Sequence, residues 1–117
     1  MILDNIFIIN LDRSINRWKF INIYVLKFLK YYKTSRISAV DKFNLKKFAN
    51  IPLNNGELGC FFSHIKCWKK LLNSNDECVL ILEDDVKYLK KYQLQKKNWK
   101  DKDIIFLNKR MNKFNSK

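Results

Sequence analysis

The sequence predicts a single α/β domain built on a mostly parallel β-sheet flanked by helices. Two short apolar runs, residues 6–9 and 79–82, are hydrophobic without a break, which is typical of strands buried on both faces. Helical patterns lie between the strand-like runs, and this alternation is typical of parallel sheets. The chain has 117 residues with only two Gly and one Pro, which argues against a turn-rich all-β fold.

The first strand is followed by a long helical pattern. Apolar residues recur at helical spacing from residue 15 to about residue 32, after a polar turn in which Asp12 or Ser14 can cap the helix. Arg13 and Arg17 lie at the start of this helix, where a positive charge opposes the helix dipole. They therefore indicate either a nearby phosphate or carboxylate, or simply a solvated pair.

The middle of the chain contains a second strand and the most regular helical pattern. Residues 36–40 predict a short strand, and residues 43–51 are weakly patterned, with one helical turn and a loop. The turn at 54–56 can cap the next helix, which is predicted over residues 57–73. This helix has an apolar stripe opposite a lysine-rich face.

The C-terminal part of the chain carries most of the positive charge. The net charge is +13, and residues 86–117 hold eleven basic and two acidic side chains. Within this part, residues 88–100 predict a lysine-rich helix or loop, residues 103–107 a fourth strand, and residues 108–117 a frayed end. The basic excess favours attraction to anionic lipid or nucleic acid, or it forms a solvated lysine-rich surface.

The cysteines and the N-terminus indicate the cellular environment that the chain is suited to. Cys60, Cys67 and Cys78 are an odd number without paired spacing, so we expect no disulfide framework and a reducing, cytoplasmic location. The N-terminus lacks a basic region, and its apolar run is shorter than the ~20 residues of a membrane span. We therefore expect neither a signal peptide nor a transmembrane helix.

Three consecutive carboxylates, Glu83, Asp84 and Asp85, follow the strand at 79–82. An unpaired buried charge is costly, so these side chains are expected where the strand emerges from the sheet. This carboxyl edge is where open α/β sheets bind ligands. Clustered oxygen ligands suit Mg²⁺ or Mn²⁺ holding the phosphates of a substrate. The alternative is a solvated acidic turn.

Cys60, His64 and Cys67 fall at positions i, i+4 and i+7 of one predicted helix, so they share a face. Zinc accepts these ligand types, but a fourth ligand is not evident, and a buried cysteine beside a core helix is common. A Cys/His nucleophile pair would need an orienting partner, which the sequence does not identify. His64, the only histidine, is a proton carrier or, more in keeping with its setting, a structural hydrogen-bond partner.

Four segments in order, IINLDRSINR, ISAVDK, NNGELGCFFSHIKCWKKLL and LILEDDV, together resemble glycosyltransferase family 25. This is the group of lipooligosaccharide and collagen galactosyltransferases, and the resemblance covers about residues 5–110. It implies a GT-A-like, Rossmann-like fold, here in a truncated form. It also implies the metal-dependent transfer, with inversion, of a sugar (usually galactose) from a UDP-sugar to a lipooligosaccharide or other glycan acceptor, with Mn²⁺ or Mg²⁺ as the cofactor.

The resemblance implies roles for individual residues. Asp85 would ligate the metal, and Glu83 would complete the metal shell or, like Asp84, contact the donor. The residues that the resemblance places at the donor are Asn10, Asp12, Arg13, Arg17, His64, Glu83 and Asp84. The helix-start motif of the family is matched by Gly56, Glu57, Gly59, Ser63 and His64.

The resemblance also sets expectations for organisation and partners. Family members are typically longer than this chain, and no residue after Asp103 is a good general base, so we expect the base and the acceptor contacts outside it. We expect residues 1–108 to form the donor-binding domain and residues 109–117 a basic tail that contacts the inner face of an anionic membrane. The alternative is a non-catalytic basic module in which residues 87–117 bind anionic membrane or nucleic acid; the transferase interpretation expects no specific nucleic acid.

Overall fold

The computed structural model describes residues 3–45, 52–86 and 103–105. The regular elements, in chain order, are β1 (Asn5–Asn10), α1 (Ile15–Phe20), β2 (Thr34–Ser38), α2 (Asn55–Leu72) and β3 (Val79–Glu83). Two irregular helical segments follow α1 directly, a π-helical turn (Ile21–Val25) and a 3₁₀ turn (Leu26–Phe28). A further 3₁₀ turn (Lys42–Asn44) follows β2.

The three strands form one parallel sheet in the order β2–β1–β3. β1 is the central strand, and its Ile6 is paired with Thr34 on one side and with Leu80 on the other. All six residues of β1 are buried, as expected for a central strand with both faces covered. The prediction of an α/β fold with a parallel, Rossmann-like sheet is therefore confirmed.

Helical segments cover both faces of β1. Because successive side chains of a strand point to opposite faces, Ile6 and Ile8 lie on one face and Phe7 and Ile9 on the other. The first pair packs against the π-helical turn after α1, and the second pair packs against α2 and β2. On the face of Ile6 and Ile8, the buried partners are Ile21 and Val25. On the face of Phe7 and Ile9, they are Ile37 and Cys67.

Two predicted elements have shifted limits. β2 lies two residues earlier than the predicted 36–40, because Val40 leaves the sheet and its N–H donates to Ser63 Oγ of α2 at 2.9 Å. The helical pattern over 15–32 ends at Phe28, because the chain must reverse direction before β2 begins at Thr34. The N-terminus of α2 is capped as expected: Asn54 Oδ1 accepts a hydrogen bond from the Glu57 N–H at 2.8 Å.

The prediction of a fourth strand over 103–107 is wrong for residues 103–105, which are exposed and form no strand. An apolar run becomes a strand only where a sheet edge pairs with it, and the described sheet has three strands. Residues 106–107, the lysine-rich stretch 88–100 and the tail 109–117 lie outside the described residues. Membrane or nucleic-acid binding by residues 87–117 therefore stays a prediction. Among the helices that can be described, none is both long enough and apolar enough to cross a membrane.

The N-terminal half of α2 lies in close contact with the loop after β2. A Cβ atom added to Gly59 would lie 2.7 Å from the Val40 carbonyl oxygen, well inside van der Waals contact. Ser63 Oγ links the two segments, because it donates to the Gly59 carbonyl of α2 at 2.7 Å and accepts from the Val40 N–H of the loop at 2.9 Å. Position 59 therefore requires glycine for packing.

We expect Gly59→Ala to destabilise the fold by about 1–3 kcal/mol, because the new methyl group would push α2 away from a backbone carbonyl. Gly56→Ala is the matched control: its Cβ would meet only the Asn54 side chain, at 3.2 Å. The capping side chain of Asn54 has to shift by only a few tenths of an ångström, and alanine favours helix, so the control should stay within about 1 kcal/mol of the wild type. Urea unfolding measures both. A Gly59→Ala protein as stable as the wild type would contradict this description of the contact.

Candidate functional site

A cavity of about 330 Å³ lies at the carboxyl edge of the sheet. The ends of β1 and β3, the turn into α1, the loop after β2 and the first turns of α2 surround it. Its ionisable lining residues are Arg13, Arg17, Asp41, Lys42, Cys60, Glu83, Asp84 and Asp85. The structure thus brings the three consecutive carboxylates and both arginines of the α1 turn to one cavity.

Asp84 is the buried member of the three carboxylates, with 9% of its surface exposed. Its Oδ2 accepts a hydrogen bond from Asn10 Nδ2 at 2.8 Å, and its Oδ1 accepts one from Arg17 Nη1 at 3.3 Å. Pairing of this kind is what a buried carboxylate requires. Asp84 is therefore paired with Arg17, and each of its oxygens accepts one hydrogen bond.

Asn10 is itself fixed by its neighbours. It is 2% exposed, and its Oδ1 accepts a hydrogen bond from Arg36 Nε at 3.0 Å. Because Arg36 can only donate, the amide nitrogen of Asn10 must point the other way, towards Asp84. The carbonyl of Ser14 accepts a second hydrogen bond from the same nitrogen at 3.2 Å. Asn10 thus connects the end of β1 to β2, to the start of α1 and to the turn after β3.

Both arginines that the sequence placed at the start of α1 have a carboxylate partner within the protein. Arg13 Nε donates to Asp41 Oδ2 at 2.8 Å, and Arg17 donates to Asp84. The Arg13 guanidinium, helped by the N–H of Phe43, lowers the pKa of Asp41 below its usual value. An arginine has five N–H donors, more than these bonds use, so both side chains keep donors for an anion in the cavity.

Asp12 is held away from the cavity lining. Its Oδ1 accepts hydrogen bonds from Arg36 Nη2 at 2.6 Å and from Ser38 Oγ at 2.8 Å. These bonds, chiefly that from Arg36, lower the pKa of Asp12. Asp12 therefore pairs with Arg36, and Arg36 in turn donates to Asn10 and fixes the orientation of its amide.

Sequence reasoning missed two residues of this arrangement, Arg36 and Asp41. Asp41 carries the same signal as the three carboxylates, since it follows a predicted strand at the carboxyl edge of the sheet. Arg36 gave no signal, because it lies within a strand pattern and its partner Asn10 belongs to another strand.

Glu83 lies between two side chains of α2. Its Oε1 is 3.2 Å from Cys60 Sγ and 3.4 Å from His64 Nε2. Cys60 is exposed as a residue, but partial burial of its thiol and the adjacent Glu83 carboxylate raise its pKa to about 11. His64 is half-buried and is not among the residues that line the cavity.

Cys67 does not join Cys60 and His64. It is fully buried against β1 and β2, and burial raises the pKa of its thiol to about 11. The interpretation of Cys67 as a buried cysteine on a core helix is therefore the correct one. Cys78 also remains a free thiol, distant in the chain from the cavity residues of α2.

Glu83 and Asp85 are the carboxylates that fit a metal ion at the cavity. Both are exposed and both line the cavity, whereas Asp84 is buried and paired with Asn10 and Arg17. Carboxylate oxygens are the ligands that Mn²⁺ and Mg²⁺ prefer. The residues present therefore suit the expected cofactor.

Known proteins share this sequence pattern. The chain is similar to procollagen galactosyltransferase 2 of Homo sapiens, with 40% identity over 58 residues that cover 50% of this chain and 9% of that protein. It is similar to a glycosyltransferase 25 family member of Aedes aegypti, with 49% identity over 37 residues that cover 32% of this chain and 6% of that protein. Procollagen galactosyltransferase 1-A of Xenopus laevis is 28% identical over 103 residues, which cover 75% of this chain and 17% of that protein.

The matched segments thus span less than a fifth of the length of these relatives. No solved structure matches the chain significantly. A family model, described as glycosyltransferase family 25 (LPS biosynthesis protein), matches residues 3–117, nearly the whole sequence. On this evidence the chain belongs to glycosyltransferase family 25.

Proposed function

We propose that this chain is the donor-binding part of a metal-dependent glycosyltransferase. The reaction is the transfer of galactose, with inversion, from UDP-galactose to a lipooligosaccharide or other glycan acceptor. The observation that carries this proposal is the cavity at the carboxyl edge, where Arg13 and Arg17 share a lining with Glu83 and Asp85. The family membership and the galactosyltransferase relatives support the choice of sugar.

The charges of the cavity support a role for a divalent cation. Its lining holds three basic and four acidic side chains, so a diphosphate without a metal would meet a net negative surface. A bound Mn²⁺ or Mg²⁺ reverses the sign of that balance. Glu83 and Asp85 would hold the ion, which when bound would neutralise the negative charge that develops on the leaving diphosphate.

The two arginines are the proposed phosphate contacts on the protein side. Arginine donates paired, charge-assisted hydrogen bonds that match phosphate oxygens. Asp41 and Asp84 hold the two guanidinium groups before the donor arrives, which reduces the side-chain ordering required on binding. We assign no general base among the described lining residues, because Asp41 and Asp84 are paired with arginines and Glu83 and Asp85 are assigned to the metal.

Calorimetry of UDP-galactose binding, with and without Mn²⁺, tests the metal assignment. Binding by the wild type should require Mn²⁺, and Asp85→Asn should weaken it at least about tenfold, since even the loss of an outer-shell partner costs that much at many metal sites. Asp103→Asn, which removes an exposed carboxylate that does not line the cavity, is the matched control and should bind as the wild type does. Metal-independent binding, or unchanged binding by Asp85→Asn, would contradict the proposal.

The same assay tests the arginine assignment. Arg17→Met should weaken UDP binding in the presence of Mn²⁺ by about ten- to a hundredfold, the equivalent of one hydrogen bond to a charged group. Lys19→Met is the control, because Lys19 is an exposed cation of the same helix and does not line the cavity. Thermal unfolding by circular dichroism confirms that Arg17→Met is folded at the assay temperature. Equal losses in both variants would indicate a general charge effect and not a contact by Arg17.

A further inference from the structure

Three side chains of different chemistry converge at the outer wall of the cavity. One ligand atom from each of Cys60, His64 and Glu83 lies within 4.8 Å of the other two. Cys60 and His64 are one helical turn apart on α2, so they project from the same face, and Glu83 ends β3 opposite them. Two elements that are held together by the core therefore place sulfur, nitrogen and oxygen donors at one point.

Two of the three separations between these atoms are close to the dimensions of a tetrahedral zinc site. With zinc bonds of about 2.3 Å to sulfur and 2.0–2.2 Å to nitrogen and oxygen, tetrahedral geometry places the ligand atoms about 3.4–3.6 Å apart. Glu83 Oε1 lies 3.2 Å from Cys60 Sγ and 3.4 Å from His64 Nε2. The ligand atoms of Cys60 and His64 lie within 4.8 Å of each other, so rotation of these two side chains is what brings all three atoms to bonding distance of one ion.

We propose that Cys60, His64 and Glu83 bind Zn²⁺, with the fourth coordination position open towards the cavity. Cys60 and Glu83 both line the cavity, so this position is reached from the same space as the carboxylate of Asp85. Three protein ligands and one open position are the usual arrangement of a zinc ion that contacts a substrate or water. On binding, Zn²⁺ replaces the proton of the Cys60 thiol, which is released to solvent.

This site differs in ion preference from an oxygen-only site. Soft thiolate ligands select zinc and imidazole also suits it, whereas Mn²⁺ is the most weakly bound of the first-row divalent metals at a given site. Glu83 belongs both to this set and to the pair it forms with Asp85 in the proposed donor site. Glu83 has two carboxylate oxygens, so one can bind Zn²⁺ while the other serves the pair with Asp85, and the two sites differ in the ion that they prefer. The inference does not depend on UDP-sugar binding.

Titration of the full chain with Co²⁺, followed by absorption spectroscopy, tests the proposal. Cobalt bound to a thiolate gives a sulfur-to-metal charge-transfer band in the near ultraviolet and strong visible bands in tetrahedral geometry. We expect both in the wild type, and we expect Zn²⁺ to abolish them by displacing Co²⁺. Cys60→Ser should remove the charge-transfer band, whereas Cys78→Ser, which alters a free thiol outside the cluster, should retain it.

Competition between Zn²⁺ and Co²⁺ extends the test to the other two ligands. His64→Ala and Glu83→Gln should each weaken Zn²⁺ binding at least about tenfold, the lower bound for changes around protein metal sites. Absence of the charge-transfer band in folded wild-type protein would overturn the proposal. Its persistence in Cys60→Ser, or its loss in Cys78→Ser, would do the same. These readouts need no nucleotide, so they succeed or fail independently of the proposed transferase function.

Discussion

The hydrogen bond from Asn10 to Asp84, 2.8 Å long and formed between residues 74 positions apart, fixes the carboxyl edge of the sheet. A carboxylate this deeply buried requires a partner, and Asn10, with Arg17 beside it, supplies the pairing where the turn after β3 forms. Arg36, held by Asp12, sets the orientation of the Asn10 amide. One buried contact thus ties together β1, β2, β3 and the start of α1, and the shape of the cavity follows from it.

Much of this arrangement could be predicted from sequence, because it depends on patterns of hydrophobicity. The uninterrupted apolar runs located β1 and β3, and the carboxylates after β3 located the edge of the sheet where the cavity lies. The pattern could not say which of Glu83, Asp84 and Asp85 is buried, because three adjacent carboxylates look alike until contacts with distant residues separate them. The same reason hid the pairing of Arg13 with Asp41, which are 28 positions apart. The limits of β2 were missed because a contact with α2, not propensity, ends that strand.

Helix α2 shows how one face of a helix can serve two purposes. Periodicity correctly placed Cys60, His64 and Cys67 on a common face, but a face of seven residues is about 10 Å long. Cys67 lies over the sheet and packs against the core residues of β1 and β2, whereas Cys60 and His64 reach the end of β3 and meet Glu83. Helical spacing predicts which side of a helix a residue lies on. It does not predict where along that side the neighbouring sheet ends. The chemistry of the N-terminal half of α2 therefore became visible only in three dimensions.

The central claim is that metal and nucleotide meet at the carboxyl edge of this sheet. Paramagnetic broadening of backbone amide signals by Mn²⁺, added at substoichiometric amounts with UDP, tests this claim most directly because it locates the ion. The account predicts the strongest broadening at Gly56, Cys60 and Asp85, and much weaker broadening at the opposite end of the sheet, around Asp4 and Cys78. Broadening centred on any other surface, or none in the presence of UDP, would contradict it.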